Sequence, residues 1–241
     1  MPIPKVIYQS WKCSEKELRP QLRQHREKMK AINPDYEYKL FTDREMDLWV
    51  YENFSDVPDI VECYNRLNII VARVDFWRYL VLYLNGGVYV DMDSEIALPL
   101  SGLIRPEDQA IISMEANPVS YVQWAMIFEA KHPILARTIE IVVDNIKNNR
   151  YPGQIDNMTG PTAYTHAIKE IARENGSNVV QDANPEKREE YRTADGTQYR
   201  VEGVNYSGFI HFKHEFSRWL YVDTMEWRME QKLKPLLRDL P

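Results

Sequence analysis

LNIIVARVDFWRYLVLYLNGGVYVDMD, residues 67–93, is the stretch of this sequence that decides the fold. Its first part, residues 67–84, is apolar on nearly all helical faces, which is typical of a buried helix. Asn85-Gly86-Gly87 follows, and glycine just beyond a helix commonly ends it. The β-branched and aromatic run Val88-Tyr89-Val90 then predicts a short strand. The stretch therefore predicts a buried helix, a glycine stop and a strand.

Charged side chains interrupt this apolar stretch in the helix and after the strand. Asp91 and Asp93 alternate along an extended chain, so both point to the same side. Paired carboxylates suit a hard divalent cation, and open α/β sheets bind ligands at the carboxyl ends of their strands. In the helix, which also carries Arg73, Asp75 and Arg78 share one face. A core ion pair is the structural alternative, but buried pairs add little net stability, which favours a functional role.

The segments around this stretch predict alternating strands and helices. Before it we expect a strand at 5–11, an exposed helix at 16–32, a strand at 36–41 and a helix at 43–53. Thr42 and Glu45 form a capping box for the last of these helices. After it we expect strands at 109–115 and 203–212, helices at 124–130, 133–147 and 162–175, a polar loop at 154–161, a polar surface excursion with short strands at 178–200 and a charged C-terminal helix. Alternation of this kind indicates an α/β fold, and we interpret residues 1–241 as one domain.

Composition restricts the class of protein. The 241 residues are 44% apolar and 27% charged, as in ordinary globular proteins, and aromatic residues make up 12%. The net charge of −6 argues against a nucleic-acid partner, which usually requires a basic surface. Two cysteines, Cys13 and Cys63, are too few for a disulfide scaffold, so we expect free thiols. The N-terminus lacks a signal-peptide pattern, and the charges inside residues 67–84 oppose a membrane span. We therefore expect a soluble cytoplasmic protein.

The residues that follow the D-x-D pattern exclude an EF-hand and argue against a phosphohydrolase. An EF-hand loop requires glycine at its sixth position and glutamate at its twelfth, where this chain has Ile96 and Gly102. A phosphohydrolase of the haloacid dehalogenase type would use Asp91 as its nucleophile, but Glu95 stands where that family usually has Thr or Val. That phosphohydrolase and a non-catalytic module that binds sugars or nucleotides remain the alternatives.

Four segments resemble glycosyltransferase family 32: PKVIYQSW at 4–11, NPDYEYKLFTD at 33–43, ARVDFWRYLVLYLNGGVYVDMD at 72–93 and the H-x-x-S-x-W pattern at 214–219. This DXD-containing family is related to initiating α-1,6-mannosyltransferases, capsular-polysaccharide transferases and, distantly, clostridial glucosylating toxins. The similarity covers about residues 3–93 and returns near 157–162 and 209–219. It implies a GT-A (Rossmann-like) fold, with a mixed, mostly parallel sheet flanked by helices. It also implies a nucleotide-sugar part at about 1–115 and an acceptor and closing part at about 116–241.

The resemblance also implies roles for individual residues of the central stretch. Asp93 corresponds to the direct metal ligand, and Asp91 to the acid that contacts the ribose and metal-bound water. Asp75 and Arg78 correspond to the pair that holds the hydroxyls of the donor sugar and the diphosphate region.

Residues outside the central stretch complete the implied site. They comprise three residues that pack the base and ribose (Gln9, Ser10 and Trp11), two that close over the diphosphate (Ser217 and Trp219), a third metal ligand (His214, with His211 as its rival), a loop near the donor (Gly160-Pro161-Thr162) and two residues facing the acceptor (Gln123 and Trp124). One imidazole among carboxylates favours Mn²⁺ over Mg²⁺.

The function that the resemblance implies is metal-dependent, retaining transfer of a hexose to a hydroxyl group. GDP-mannose, UDP-glucose, UDP-galactose and UDP-N-acetylglucosamine all remain open as the nucleotide-sugar donor. The acceptor is a glycan or a lipid-linked or protein-linked hydroxyl. With no second nucleophilic carboxylate to assign in the sequence, we expect a front-face mechanism.

Overall fold

The structure is a computed structural model that describes residues 2–115, 120–174, 189–212 and 227–239. Its strands are β1 (Val6–Ser10), β2 (Glu37–Phe41), β3 (Gly87–Val90), β4 (Ser94–Ile96), β5 (Ala110–Ser113), β6 (Ala125–Phe128), β7 (Glu189–Arg192), β8 (Gln198–Glu202) and β9 (Ile210–Phe212). Its helices are α1 (Pro20–Ile32), α2 (Asp43–Phe54), α3 (Pro58–Arg66), α4 (Ile70–Asn85), α5 (Pro133–Lys147), α6 (Ile155–Met158), α7 (Pro161–Glu174), α8 (Val204–Ser207) and α9 (Trp227–Leu233).

Seven strands form one mixed sheet in the order β2-β1-β3-β6-β5-β8-β7. Its pairings run β2, β1, β3, β5 and β8 in one direction, and β6 and β7 in the other. A separate two-stranded ribbon pairs β4 with β9. The predicted α/β class, with a mixed and mostly parallel sheet flanked by helices, is confirmed.

Helix α4 lies in the core, as its apolar sequence predicts. Phe76, Trp77 and Leu80 are among its fully buried side chains. The two glycines after it allow an abrupt turn into β3, since Gly86 has φ 66° and Gly87 has φ 109°. A Cβ atom at either glycine would lie 2.7 Å from a neighbouring atom, so no larger residue fits without a shift. The sequence signal for the end of the helix therefore has a packing cause as well as a conformational one.

Helix α1 differs from the exposed helix predicted at residues 16–32. It begins only at Pro20, and it buries His25 and Arg26. The imidazole Nε2 of His25 lies 2.9 Å from the carbonyl oxygen of Ser94, and the Arg26 guanidinium donates a hydrogen bond to the Gln9 side chain. Polar residues on this helix therefore reach inward to β1 and the start of β4, which a hydropathy pattern does not show.

The predicted helix at residues 124–130 is wrong, because β6 occupies this segment and lies between β3 and β5. Its side chains alternate between two cores: Met126 and Phe128 pack on one face of the sheet, and Ala125 and Ile127 on the other. A short apolar run has no periodicity that separates a buried strand from a buried helix.

Three further segments correct the sequence prediction. Helix α3 follows the loop or helix entry expected at residues 56–59, but its length was not predicted. Short strands were expected within 178–200, but β8 is buried in the main sheet and does not lie in a surface excursion. Only residues 210–212 of the last predicted strand are extended, and they belong to the separate ribbon.

Three further expectations concern the capping box, the cysteines and a membrane-spanning helix. The capping box of Thr42 and Glu45 is present at the start of α2. Both cysteines are free thiols, as predicted. Within the described residues, every helix is too short or too polar to cross a membrane.

Candidate active site

The predicted donor residues converge at one edge of the sheet. Strands β1 and β3 are parallel, so Ser10 and Asp91 lie at the same carboxyl edge. Helix α4 precedes β3 and packs against the same face as Tyr89. Asp75 and Arg78, one turn apart on this helix, are thereby directed at the end of β3.

Arg78 is the centre of this site. Its Nη2 lies 3.3 Å from Asp75 Oδ1 and 3.3 Å from Asp91 Oδ1. Its Nη1 donates a hydrogen bond of 3.0 Å to the carbonyl oxygen of Gln123, and its Cζ lies 4.5 Å above the centre of the Tyr89 ring. One buried cation therefore joins α4, the end of β3 and the segment before β6.

Asp91 is held in place but stays open to solvent. The Tyr89 hydroxyl donates a 2.6 Å hydrogen bond to Asp91 Oδ1, and the Asp91 backbone N–H donates to the Trp124 carbonyl at 2.8 Å. Its side chain is 27% exposed, against 7% for Asp75. A carboxylate fixed on one side and exposed on the other can offer oxygen to a ligand without rearranging.

Asp75 shares the Arg78 charge from a fully enclosed position. Burial raises the pKa of Asp75 from 3.8 to about 7, with Arg78 opposing the shift and Asp91 adding to it. Burial also lowers the pKa of Arg78, but the neighbouring charges of Asp91, Tyr89 and Asp75 outweigh it and leave this pKa raised. Arg78 thus remains a cation, and its single charge is divided between two carboxyl groups.

The segment predicted as a polar loop at 154–161 contains the short helix α6, and it contacts α4 beside Asp75. The Thr159 hydroxyl lies 3.2 Å from Asp75 Oδ2 and donates a hydrogen bond to it. The Tyr79 hydroxyl donates to the Thr159 carbonyl at 3.0 Å and accepts a 2.6 Å hydrogen bond from the Gln123 amide. A Cβ on Gly160 would lie 2.8 Å from the backbone of Asp156, so this turn requires glycine. Sequence reasoning missed Thr159, although the Gly160-Pro161 pair beside it marked the loop.

The residues predicted to pack the base and ribose differ in accessibility. Gln9 is fully buried, and its amide Nε2 has no hydrogen-bond partner in the described residues. Ser10 is buried and hydrogen-bonds the hydroxyl of Tyr89. Trp11 is half-buried and packs in a small cluster with Met92, the residue between the two aspartates. Of the three predicted residues, Trp11 is therefore the most accessible to a base.

The predicted metal ligands are only partly described. Asp91 and Asp93 lie in a turn between β3 and β4, closed by the Ser94 N–H on the Asp91 carbonyl at 3.0 Å, so the expected extended chain at these residues is wrong. Asp93 is buried, and the β4–β9 ribbon sets His211 opposite Glu95 and Phe212 opposite Ser94. The other three residues predicted for the late part of the site, His214, Ser217 and Trp219, lie outside the described residues. In the described ranges, no three His, Cys, Asp or Glu side chains converge in a geometry that could hold a metal ion.

A cavity of about 520 Å³ lies along one face of β1 and β2. It is lined by residues that include Lys39, Phe41, Trp49 and Asn85. None of its lining residues is a predicted site residue, and ligands of open α/β sheets bind beyond the carboxyl ends of the strands. We therefore place the candidate site at the carboxyl edge of the sheet and not in this cavity.

Comparisons with known proteins agree with this arrangement. A family model described as "Glycosyltransferase sugar-binding region containing DXD motif" matches residues 20–115. An uncharacterised glycosyltransferase of Acanthamoeba polyphaga mimivirus is 30% identical over 184 residues, covering 74% of this chain and 69% of that protein. The chain belongs to the DXD-containing glycosyltransferases.

Two further similarities are to a curated mannosyltransferase and to a solved glycosyltransferase structure. An initiation-specific alpha-1,6-mannosyltransferase of Candida albicans is 26% identical over 204 residues, which cover 70% of this chain and 53% of that protein. The glycosyltransferase chain thus spans about half the length of this curated relative. A solved structure, the PaToxG glycosyltransferase, superposes with a TM-score of 0.58 at 20% identity, covering 73% of this chain and 72% of that chain. This last similarity supports the GT-A fold.

Proposed function

We propose that this DXD-containing glycosyltransferase transfers a hexose from a nucleotide sugar to a hydroxyl acceptor, with a divalent metal ion and with retention of anomeric configuration. The observation that carries the proposal is the buried Arg78, which joins Asp75 of α4 to Asp91 at the carboxyl end of β3. Buried charges persist in proteins mainly when they are paired or serve a ligand. Here the pairing leaves one carboxylate exposed, at the edge where α/β sheets bind nucleotides.

We assign the donor to the part formed by about residues 1–115 and the acceptor to the part formed by about residues 116–241. GDP-mannose is our first choice of donor, because the Candida albicans relative is named a mannosyltransferase. A UDP-hexose is the second choice. Asp75, Thr159 and Arg78 provide both hydrogen-bond acceptors and donors beside Asp91, which suits the hydroxyl groups of a sugar ring.

The metal ion in this proposal is Mn²⁺ or Mg²⁺, held by Asp91 and Asp93. Two carboxylates are sufficient protein ligands, because such ions usually complete their shell with substrate phosphates and water. A bound ion would neutralise charge on the departing diphosphate, as Lewis-acid metals do. His211 or His214 as a third ligand remains a prediction.

Retention through a front-face mechanism is supported by the state of the two carboxyl groups nearest the site. Asp75 is ion-paired to Arg78 and hydrogen-bonded by Thr159, and Asp91 Oδ1 accepts from Tyr89 while facing Arg78. Carboxylates engaged in this way are weak nucleophiles. The same contacts disfavour the phosphohydrolase alternative, in which Asp91 would attack a phosphate.

The test combines nucleotide binding with donor hydrolysis in matched aspartate variants. Native protein should show a higher melting temperature with GDP or UDP when Mn²⁺ is present, because ligands that bind the native state stabilise it. Asp93→Asn should lose this shift and the hydrolysis of the nucleotide sugar. Asp35→Asn is the matched control, because Asp35 is exposed and pairs only loosely with Lys5 at 3.5 Å.

Three results would contradict the proposal. Full donor turnover by Asp93→Asn would exclude the metal role of this residue. Binding of a nucleotide sugar without turnover, across donors and acceptors, would favour a non-catalytic module. Release of phosphate from simple phosphate esters, with a phosphorylated Asp91, would favour the phosphohydrolase.

A further inference from the structure

A second polar group lies at the same edge of the sheet, beyond the donor residues. Strands β3, β5 and β8 run in one direction, so their carboxyl ends share this edge. Glu115 follows β5, and Asn205 lies on the turn α8 that follows β8. Neither residue belongs to the predicted site.

Trp124 connects Glu115 to the donor residues. Its backbone carbonyl accepts the Asp91 N–H at 2.8 Å, and its indole Nε1 donates to Glu115 Oε1 at 3.0 Å. Since β6 lies between β3 and β5, Asp91 and Glu115 are two strand spacings apart, about 10 Å. This distance is too long for one metal ion to bridge, so Glu115 lies outside the metal site proposed at Asp91 and Asp93.

Glu115 has one carboxylate oxygen in use and one available. Oε1 accepts the hydrogen bond from Trp124, and no residue in the described part of the chain donates to Oε2. The side chain is half-buried, and burial raises the pKa of Glu115. A carboxyl group placed in this way accepts a hydrogen bond from a ligand hydroxyl with little competition from water.

The turn that carries Asn205 has a strained backbone. Asn205, Tyr206 and Ser207 have φ values of 55°, 49° and 57°. Three consecutive residues with side chains in the left-handed region are energetically unfavourable, and such strain persists only where surrounding contacts impose it.

Contacts on both sides impose this conformation. The Tyr206 hydroxyl donates to the Ala125 carbonyl at 2.6 Å, and the Tyr206 N–H donates to the Ser113 hydroxyl at 3.3 Å. The Ser207 hydroxyl donates to Glu202 at 2.8 Å. The turn is therefore tied to β5, β6 and β8 at once.

Asn205 differs from its two strained neighbours because its side chain takes no part in these ties. It is half-buried, and among the residues that the structure describes none hydrogen-bonds its amide. These contacts thus fix the backbone of Asn205, and its amide can serve as a donor and an acceptor at the edge that Glu115 shares.

We propose that Glu115 and Asn205 bind hydroxyl groups of an acceptor sugar, beside the donor held by Asp75, Arg78 and Asp91. The inference rests on the proposed function, because it assigns the second substrate of the same reaction. A carboxylate oxygen accepts and an amide both donates and accepts, which together match the hydroxyls of a sugar ring. The acceptor class is therefore a carbohydrate whose hydroxyls bind beyond the carboxyl ends of the paired strands β5 and β8.

The test separates transfer to a sugar from hydrolysis of the donor by water. GDP-mannose and Mn²⁺ are supplied with methyl α-mannoside, methyl α-glucoside or methyl β-galactoside as acceptor, and the same series is repeated with UDP-hexoses. Glu115→Gln should raise the acceptor KM by about tenfold or more, because hydrogen bonds to charged groups are the stronger ones. Donor KM and donor hydrolysis should stay unchanged.

Two substitutions at residue 205 separate the amide from the backbone. Asn205→Gly removes the amide and suits the left-handed conformation, whereas Asn205→Ala removes the amide and keeps the strain. Both should raise the acceptor KM, and Asn205→Gly should have the higher melting temperature of the two.

Several outcomes would overturn the inference. An acceptor KM that is unchanged in both Glu115→Gln and Asn205→Gly would exclude these contacts, and an equal loss of donor hydrolysis and transfer would indicate a structural role. Native protein that hydrolyses the donor but transfers to no glycoside of the panel would refute the inference alone. Protein that neither binds nor hydrolyses any nucleotide sugar would refute the proposed function as well.

Discussion

Two buried arginines, Arg78 and Arg200, each sit between two carboxylates, yet their surroundings differ. Arg200 binds Asp108 in a bidentate manner, with Nε 3.1 Å from Oδ1 and Nη2 2.6 Å from Oδ2. It also donates to the Leu103 carbonyl at 2.6 Å and forms an ion pair with Glu202. Its acidic partners are at most 5% exposed. This cluster is complete and closed to solvent.

The Arg78 cluster is made of the same residue types but is neither complete nor closed. Both of its ion-pair distances are 3.3 Å, and its Nε has no hydrogen-bond partner in the described residues. One partner, Asp91, is 27% exposed. Asp91 follows β3 at the carboxyl edge, whereas Asp108 precedes β5 at the amino edge. The comparison indicates that the Arg200 cluster stabilises the fold and that the Arg78 cluster is prepared for a ligand.

The largest effect on stability should come from Arg200→Met. It leaves Asp108 and Glu202 buried without their counter-charge, and breaking a buried pair costs about 3–5 kcal/mol of the free energy of unfolding. Arg105→Met is the control, because Arg105 forms an exposed pair with Glu190, and such pairs contribute about 0–1 kcal/mol. Urea unfolding measures both. Equal stability of Arg200→Met and Arg105→Met would contradict the conclusion that the Arg200 cluster stabilises the fold.

Arg78→Lys should chiefly reduce activity. A lysine keeps the charge but cannot reach both carboxylates and the Gln123 carbonyl, and loss of one such donor costs about 10²–10³ in turnover. Donor hydrolysis and urea unfolding are measured for this variant and for Arg200→Lys. If Arg78→Lys lost as much stability as Arg200→Lys and kept its turnover, the conclusion that the Arg78 cluster is prepared for a ligand would be wrong.

The burial of Asp75 should also make the free energy of unfolding depend on pH. Burial raises the pKa of Asp75 from 3.8 to about 7, so the native state binds this proton more tightly than the unfolded state. The resulting stabilisation is fully present below pH 3.8 and is lost as the pH rises to about 7, with a slope of at most about 1.4 kcal/mol per pH unit. Urea unfolding at pH 5, 6, 7 and 8 should show this slope in native protein and not in Asp75→Asn. If the free energy of unfolding depended on pH in the same way in native protein and in Asp75→Asn, Asp75 would not be the titrating group.

Tyr89→Phe should give the smallest effect. It removes the hydroxyl that donates to Asp91 at 2.6 Å, and water can replace it because Asp91 is partly exposed. Nucleotide affinity in the presence of Mn²⁺ should therefore fall by about tenfold or less. Tyr38→Phe is the control, because its hydroxyl donates to the Met29 carbonyl, in a contact with no predicted site residue. Calorimetric titration with GDP or UDP measures both, and equal affinities would show that Asp91 needs no support from Tyr89.

Much of the chain around the site was predictable because its signals are local. The apolar helix, the two glycines and the D-x-D pattern identify α4, β3 and the acids without reference to distant residues. The same holds for the capping box of α2 and for α5, whose apolar spacing continues over many turns. The placement of Asp75 and Arg78 on one helical face follows from geometry alone.

What the sequence determined by itself is therefore the set of local elements and the chemistry of the charged residues they carry. Only the tertiary structure decided that β6 is a strand, because it acquires a neighbouring strand on each side within the sheet. The contact between Thr159 and Asp75, which are 84 residues apart in sequence, also exists only in the tertiary structure. The contrast between Arg78 and Arg200 likewise depends on tertiary contacts. Periodicity reports which side of an element is buried, whereas the partner of a buried charge depends on contacts between segments far apart in sequence. The open side of Asp91 is such a property, and it distinguishes a binding site from an ion pair of the core.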